Sequence, residues 1–246
     1  MAIAENPPTP AADRGFTDAW KRADRIAGWL TRDQARDLWV AARNLVPGST
    51  VVEIGSHQGR STVALASAAR ESASTVVAID PFVEGAMFGG QQTRKLFERH
   101  VGEAGVASAV RLEADYSARV LDRWSGDVHL LYIDGKHDYW SCTKDLGWVV
   151  HMREGAPVFV HDAFSSLGVT SSLLREQLRR HPRLRFRSRS GSLAAFVVGA
   201  PSVRERISVA GELAWFARNS LIKLLLRLRL RPIARALGHG SPYDPY

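Results

Sequence analysis

The chain has 246 residues, 45% of them hydrophobic and 24% charged, which is typical of one folded α/β domain with extensions. The net charge is +8, but residues 203–246 hold eight basic and three acidic residues. Because the body carries little excess charge, we expect no nucleic acid as a partner. The single cysteine, Cys142, excludes an internal disulfide framework and favours a reducing compartment, the cytoplasm. No secretory signal and no membrane-spanning run is expected.

The N-terminal region predicts a leader followed by a helical cover. Prolines and small residues in 1–14 indicate a mobile leader, and residues 16–29 and 33–45 predict two helices. The second helix has an apolar stripe that should pack on a sheet. We therefore expect a catalytic domain over 15–200 and a basic helical extension over 201–246.

A strand, a glycine turn and a helix follow in VVEIGSHQGRS. Gly55 and Gly59 permit a tight turn between a buried strand and a helix that begins at Arg60. Such a turn at the carboxyl end of a strand is where open α/β sheets bind ligands. A dinucleotide site would need glycines at positions 57 and 60, where His57 and Arg60 stand, so NAD and FAD are disfavoured.

Acidic residues follow three further predicted strands. Asp80 ends the strand at 75–79, Asp115 follows the strand at 110–112, and Asp134 ends the strand at 129–133. Because the carboxyl ends of parallel strands share one edge of a sheet, these acids should lie on one rim. A fifth strand at 158–160 and a hairpin of 184–188 with 193–198 complete the predicted strands.

The motifs resemble a known family. The E-x-G-x-x-x-G pattern from Glu53 to Gly59 resembles motif I of class I S-adenosylmethionine (SAM)-dependent methyltransferases. The later IDGKHDY and HDAF, starting at Ile133 and His161, resemble small-molecule O-methyltransferases that methylate macrolide sugars and similar glycosides. The resemblance covers roughly residues 33–198. It implies a Rossmann-like, mostly parallel seven-stranded α/β sheet with a C-terminal antiparallel hairpin and an N-terminal helical cover. Beyond the resemblance, the leucine and arginine pattern of residues 210–237 predicts a basic amphipathic C-terminal helix.

The resemblance also implies the cofactor, S-adenosyl-L-methionine, and the residues around it. Asp80 would accept hydrogen bonds from the ribose hydroxyls, and Asp115 would lie near the adenine. The full predicted set is Glu53, Gly55, Ser56, Gly59, Ser61, Asp80, Asp115, Tyr116 and Asp134.

The chemistry of methyl transfer suggests roles for the motif residues. A hydroxyl is a poor nucleophile while protonated, so a metal ion or a base must activate it. Asp134 and Asp162 are candidate oxygen ligands for Mg²⁺ or Mn²⁺, and His137 is the candidate base. A third oxygen would come from Glu84 or Asp138, since the imidazole of the neighbouring HD pair is a poor Mg²⁺ ligand. Alternatively, Asp162 caps a helix and His137 orders a loop.

Three other segments leave alternatives open. Residues 84–92 are glycine-rich and predict either a mobile lid or a plain connection. The arginines at 183, 185, 187 and 189 share a strand face and either bind an anionic or polyhydroxyl substrate or deter edge pairing. The leucine- and arginine-rich residues 210–237 would pack on the body, join a homo-oligomer, or contact the inner membrane face peripherally.

The predicted function is that of a SAM-dependent O-methyltransferase, assisted by a divalent metal. Its acceptor would be a hydroxyl of a small molecule or saccharide, such as a glycoside, oligosaccharide or polysaccharide precursor. One rival is a nucleic-acid methyltransferase, although the Asn/Asp-Pro-Pro-aromatic motif is missing after the fourth strand. The other rival is a SAM-fold binding protein without catalysis.

Overall fold

The computed structural model describes residues 10–85 and 89–238. The chain divides into two compact units, Met1–Tyr132 (the first unit) and Ile133–Tyr246 (the second unit). The α-helices are α1 Pro10–Ala23, α2 Arg32–Arg43, α3 Arg60–Glu71, α4 Gly90–Glu103, α5 Ser117–Asp122, α6 Tyr139–Asp145, α7 Leu167–Leu178, α8 Val203–Arg227 and α9 Arg231–Ala236. The strands are β1 Thr50–Ile54, β2 Thr75–Ile79, β3 Val110–Glu113, β4 Leu130–Ile133, β5 Pro157–Val160, β6 Leu184–Ser190 and β7 Leu193–Val198. Short 3₁₀-helices span Ala107–Ala109 and Leu146–His151.

The seven strands form one sheet in the order β3-β2-β1-β4-β5-β7-β6. The strands β1, β2 and β3 pair in parallel, whereas β7 is antiparallel to both β5 and β6. The sheet is thus mostly parallel and ends in one antiparallel hairpin. This confirms the predicted Rossmann-like fold.

In the first unit, α3 is the helix around which the cover assembles. Its residues 61–69 are all buried, and it packs against α1, α2 and β2. Arg60, the first residue of α3, donates to the carbonyl oxygens of Leu30 and Ile26 and lies over the ring of Trp20. The predicted helical cover, formed by α1 and α2, thus packs chiefly against α3. Arg60 adds hydrogen bonds to the connection between the two cover helices.

Several predicted boundaries were wrong. The first helix is Pro10–Ala23 instead of 16–29, because the chain turns after Ala23 where Arg60 binds backbone carbonyls. Residues 10–14 of the predicted leader are therefore helical, and residues 1–9 lie outside the described residues. Part of the predicted lid, 86–88, also lies outside them, and its last residues open α4.

The arginines of β6 have a role that neither interpretation of the sequence anticipated. Arg185 and Arg187 both pair with Glu205 of α8, and Arg189 pairs with Glu212 at 2.6 Å. The two glutamates are seven residues apart, so they lie on one face of α8. The alternate arginines of β6 lie opposite these glutamates, and the ion pairs hold α8 against β6.

The predicted basic tail forms two helices instead of one, α8 and α9. Ile222 and Leu225 of α8 are buried, so the prediction of packing against the body is confirmed. Leu221, Leu224 and Leu228 remain exposed, and contact with a membrane surface or a second subunit stays a prediction. No helix within residues 10–85 and 89–238 is long and apolar enough to cross a bilayer.

Candidate active site

The predicted glycine turn adopts a backbone that explains its residues. Gly55 and Gly59 have φ angles of 90° and 92°, a left-handed region in which a side chain would be strained. A Cβ on Gly59 would also lie 3.2 Å from the ring of Phe97. The carboxylate of Asp80 accepts hydrogen bonds from the backbone N–H groups of His57 and Phe82, both at 2.9 Å. The end of β2 therefore fixes the turn that follows β1.

Two polar side chains near this turn are buried. Glu53 is fully buried in β1 and accepts a hydrogen bond from the hydroxyl of Thr62 in α3. The hydroxyl of Ser56, in the turn, is 1% exposed and has no hydrogen-bond partner among the described residues. A buried polar group without a partner costs roughly 1–3 kcal/mol. A bound ligand could therefore supply the hydrogen bond that the hydroxyl of Ser56 lacks. Ser61, at the start of α3, is also buried.

Asp115 and Tyr116 lie beyond β3 on the same edge of the sheet, because β1, β2 and β3 run in parallel register. Asp115 accepts from the N–H of Tyr116 and pairs with Arg123 at 2.9 Å, which together lower the pKa of its carboxyl group. Tyr116 is half exposed, with the guanidinium of Arg119 over its ring. The structure therefore brings the first unit's predicted cofactor residues to one edge of the sheet.

In the second unit, two carboxylates and two imidazoles form one cluster after β4 and β5. Nδ1 of His137 lies 3.0 Å from Asp162, and Nε2 of the same ring lies 3.6 Å from Asp134. Nδ1 of His161 lies 3.3 Å from Asp134 and 3.7 Å from Asp162. His161 and Asp162 are buried, whereas the side chain of His137 is 47% exposed. Of the two imidazoles, that of His137 is therefore the accessible one.

The charges of this cluster stabilise one another. Burial opposes ionisation of all four groups, but the ion pairs outweigh it. The pKa of His137 is raised because Asp134 accepts its hydrogen bond and the charge of Asp162 lies close. The pKa of His161 is raised by the same two carboxylates, and the pKa values of Asp134 and Asp162 are lowered by the imidazoles. The surroundings thus favour an imidazolium at either ring.

The turn after β5 is strained. Asp162 and Phe164 have φ angles of 55° and 56°, which non-glycine residues rarely adopt. The hydroxyl of Ser165 donates to the carboxylate of Asp162 at 3.1 Å. Because the residue that precedes α7 is Ser166, Asp162 does not cap this helix, and that alternative was wrong. Instead, the turn aims the carboxylate at the two imidazoles.

The loop that carries His137 is fixed on both sides. Asp138 caps α6 by accepting from the N–H groups of Trp140 and Ser141, and the bond with Ser141 lowers the pKa of its carboxyl group to about 2. The hydroxyl of Ser166 donates to the carbonyl oxygen of His137 at 3.1 Å. Gly168 of α7 lies so close that a Cβ there would collide with the same oxygen. A side chain of any size at position 168 would therefore displace the loop.

The group of side chains that could hold a metal ion differs from the predicted one. Within the described residues, ligand atoms of Asp134, His161 and Asp162 lie within 4.8 Å of one another. Sequence reasoning set His161 aside, although its place directly before Asp162 at a strand end was a usable signal. Glu84 instead accepts from the N–H of Gln91 at the start of α4, and its role as a ligand stays a prediction. The assignment of Asp138 is weakened, because its carboxylate caps α6.

A cavity of about 420 Å³ opens beside His137 and Asp162 in the second unit. The turn after β5 and the start of α7 form one wall, and α8 forms the other. Its lining residues are His137, Asp162, Ser165, Ser166, Leu167, Phe216, Ser220, Lys223, Leu224 and Arg227. The α8 residues recur at helical spacing and share one face. The sequence had suggested no part for this helix in a pocket.

Part of the chain is similar to a known protein family. Residues 52–163 match the model of a family described as a methyltransferase domain. This match supports the prediction of a methyltransferase over that part of the chain. The match includes the glycine turn, Asp80, Asp115, Asp134 and the HD pair, and it ends before α7.

Solved structures with the same fold are distant in sequence. The methyltransferase PaMTH1 from Podospora anserina, bound to S-adenosylhomocysteine (SAH), is 11% identical, with a TM-score of 0.60 over 75% of this chain and 88% of that one. The O-methyltransferase TomG from Streptomyces achromogenes, involved in tomaymycin synthesis and solved with SAM, is 18% identical, with a TM-score of 0.54 over 76% and 91%. A proposed rRNA methylase from Clostridium thermocellum is 11% identical, with a TM-score of 0.53 over 71% and 100%. These likenesses establish the fold, and the fold alone does not identify the acceptor.

Replacing Gly168 with alanine tests whether the loop of His137 depends on close packing against α7. A Cβ would lie 2.7 Å from the backbone nitrogen of Tyr139, so we expect Gly168→Ala to lose roughly 1–3 kcal/mol of unfolding free energy. We also expect slower methyl transfer. Gly211→Ala is the control, because no atom among the described residues lies within 4 Å of its Cβ. Urea denaturation measures the difference, and equal stability of the two variants would contradict this reading of the loop.

Proposed function

We propose that the protein is a SAM-dependent O-methyltransferase that acts on a hydroxyl of a small molecule or saccharide. The observation that carries the proposal is the pair formed by His137 and Asp162 at the wall of a cavity, in a chain with a methyltransferase domain. A half-exposed imidazole oriented by a buried carboxylate is suited to removing a proton from a bound hydroxyl.

The first unit would bind the methyl donor. The turn at Gly55 and Gly59 leaves backbone N–H groups at the start of α3, and Asp80 and Asp115 follow the two neighbouring strands. The buried hydroxyl of Ser56 offers a polar contact. PaMTH1 and TomG, which share this fold, were solved with SAH and SAM. Together these features support SAM as the cofactor.

The second unit would bind the acceptor and carry the base. His137 would take the hydroxyl proton as the acceptor oxygen attacks the methyl group of SAM. The sulfur of SAM would keep the electron pair of the broken carbon–sulfur bond and leave as the neutral thioether of SAH. Asp134 and Asp162 stabilise the imidazolium that this proton transfer produces. Only the neutral imidazole can accept the proton; the raised pKa of His137 makes that form a stronger base but shifts the pH range in which it is populated upward.

The cavity supports a small acceptor. Its volume of about 420 Å³ lies in the range of small-molecule sites, and three serines among its lining residues can bind hydroxyls. A nucleic-acid acceptor would need an extended basic surface. The likeness to the rRNA methylase concerns the fold alone and does not favour a nucleic-acid acceptor.

A divalent ion remains part of the proposal, with a changed ligand set. Asp134, His161 and Asp162 would hold it. Because one ligand is an imidazole, the set favours a transition-metal ion over Mg²⁺, which prefers oxygen ligands. When bound, such an ion lowers the pKa of a coordinated hydroxyl. Binding would require His161 to lose its proton.

Calorimetry with SAH tests the donor site. We expect the wild-type protein to bind SAH and Asp80→Asn to bind it about tenfold more weakly, since a neutral amide accepts weaker hydrogen bonds from ribose hydroxyls. Asp122→Asn is the matched control, because Asp122 is exposed and has no partner among the described residues. No heat of binding with wild-type protein would refute the cofactor, and equal affinity of Asp80→Asn would refute its role.

Substitution of His137 tests the base. His137→Gln should slow methyl transfer from labelled SAM on the order of 100-fold or more and leave SAH affinity unchanged. His181→Gln, at an exposed site with no partner among the described residues, should behave as wild type. If His137→Gln turned over at the wild-type rate, the imidazole would be structural.

Metal analysis tests the ligand set. We expect purified protein incubated with Mn²⁺, Fe²⁺ or Zn²⁺ to retain about one ion per chain by mass spectrometry, and Asp162→Asn to retain far less, because it removes a charged ligand. Chelation should slow turnover, and Mg²⁺ should restore it least. Unchanged turnover after chelation, with no retained ion in the wild type, would show that the metal has no role.

A further inference from the structure

We propose that the methyl acceptor carries an anionic group, a phosphate or a carboxylate, and that Lys223 and Arg227 of α8 bind it. This inference rests on the proposed function, because it assigns the occupant of the cavity beside His137. It goes beyond that function by naming the chemical class of the acceptor and residues that select it.

The first observation is the position of the two cations. Lys223 and Arg227 are four residues apart on α8, so their side chains share a face of the helix, and both line the cavity. The ammonium of Lys223 donates to the carbonyl oxygen of Ser165 at 2.8 Å. This bond holds a positive charge next to the turn that carries Asp162.

The second observation is the charge balance of the lining. Asp162 is the only acid among the described residues that line the cavity, and it faces the imidazoles of His137 and His161. Arg227 is exposed and has no carboxylate or hydrogen-bond partner in the described part of the chain. By contrast, Arg185, Arg187 and Arg189 of the same unit are all paired with glutamates of α8. Arg227 therefore brings to the cavity a positive charge that no carboxylate among the described residues pairs with.

The remaining lining residues indicate the rest of the acceptor. Phe216, Leu224 and Leu167 offer apolar contact to the face of a ring, and Ser165, Ser166 and Ser220 offer hydroxyls. If Arg227 and Lys223 bound the anionic group of the acceptor, the rest of the acceptor would extend along the cavity toward His137. A sugar phosphate, a uronic acid or a hydroxylated aromatic acid has this combination of groups.

Binding measurements on full-length protein test the proposal without relying on turnover. The probes are glucose 6-phosphate, glucuronate and neutral glucose, each titrated calorimetrically. We expect at least one anionic probe to bind about tenfold or more tightly than glucose, and Lys223→Gln and Arg227→Gln each to weaken it by about tenfold. Arg206→Gln removes the same charge from an exposed site on α8 that does not line the cavity, so it should leave binding unchanged.

The outcomes separate this proposal from the proposed function and from a lipid source of the anion. Equal affinity for glucose and both anionic probes, or anion binding that survives in both cavity variants, would overturn the inference while SAH binding still supported a methyltransferase. Flotation with phosphatidylglycerol vesicles and phosphatidylcholine vesicles distinguishes the lipid source. If Lys223 and Arg227 mediated binding to phosphatidylglycerol vesicles but to none of the soluble anions, they would belong to a membrane-contacting surface and the acceptor inference would be wrong.

Discussion

The site depends on mutual charge compensation between two imidazoles and two carboxylates after β4 and β5. A buried carboxylate such as Asp162 is costly without a partner, and the cost of removing one member of a buried ion pair is about 3–5 kcal/mol. Both His137 and His161 lie within 4 Å of Asp134 and of Asp162. This arrangement makes the cluster stable and also leaves one imidazole half exposed. The same contacts that stabilise the turn also orient the imidazole of His137, which we propose as the base.

The C-terminal helix contributes to this site as well as to the fold. Ion pairs from β6 to Glu205 and Glu212 hold α8 along the hairpin, and Asn219 and Lys223 bond to carbonyl oxygens of Phe164 and Ser165. These two bonds tie the helix to the turn that carries Asp162. The family match ends at residue 163, so the wall that would select the acceptor comes from outside the matched region.

The sequence predicted those features that local chain geometry determines. The positive φ angles of Gly55 and Gly59 could be inferred from a turn between a buried strand and a helix, and the parallel order of the strands placed Asp80 and Asp115 on one edge. The antiparallel hairpin was predicted from two short strand-like runs, one rich in arginine and one apolar, that are joined by a segment containing Gly191.

Features that depend on distant residues could not be predicted in the same way. His161 was dismissed because its residue type suits Mg²⁺ poorly, although the structure places it beside Asp134 and Asp162 in the group that could hold a metal ion. Gly168 gave no sequence signal, since the need for glycine comes from the backbone of His137, far back in the chain. The partners of the β6 arginines and the face that α8 turns to the cavity depend on tertiary packing between elements that the sequence pattern treats separately.

The most direct test is to identify the atom that receives the methyl group. Purified protein would be incubated with SAM carrying a deuterated methyl group and a cell extract, and labelled products would be separated and examined by mass spectrometry and NMR. The account predicts a labelled methyl group on an oxygen of a small molecule that bears a phosphate or carboxylate. Label found on nitrogen or in RNA, or no labelled product from protein that binds SAH, would contradict it.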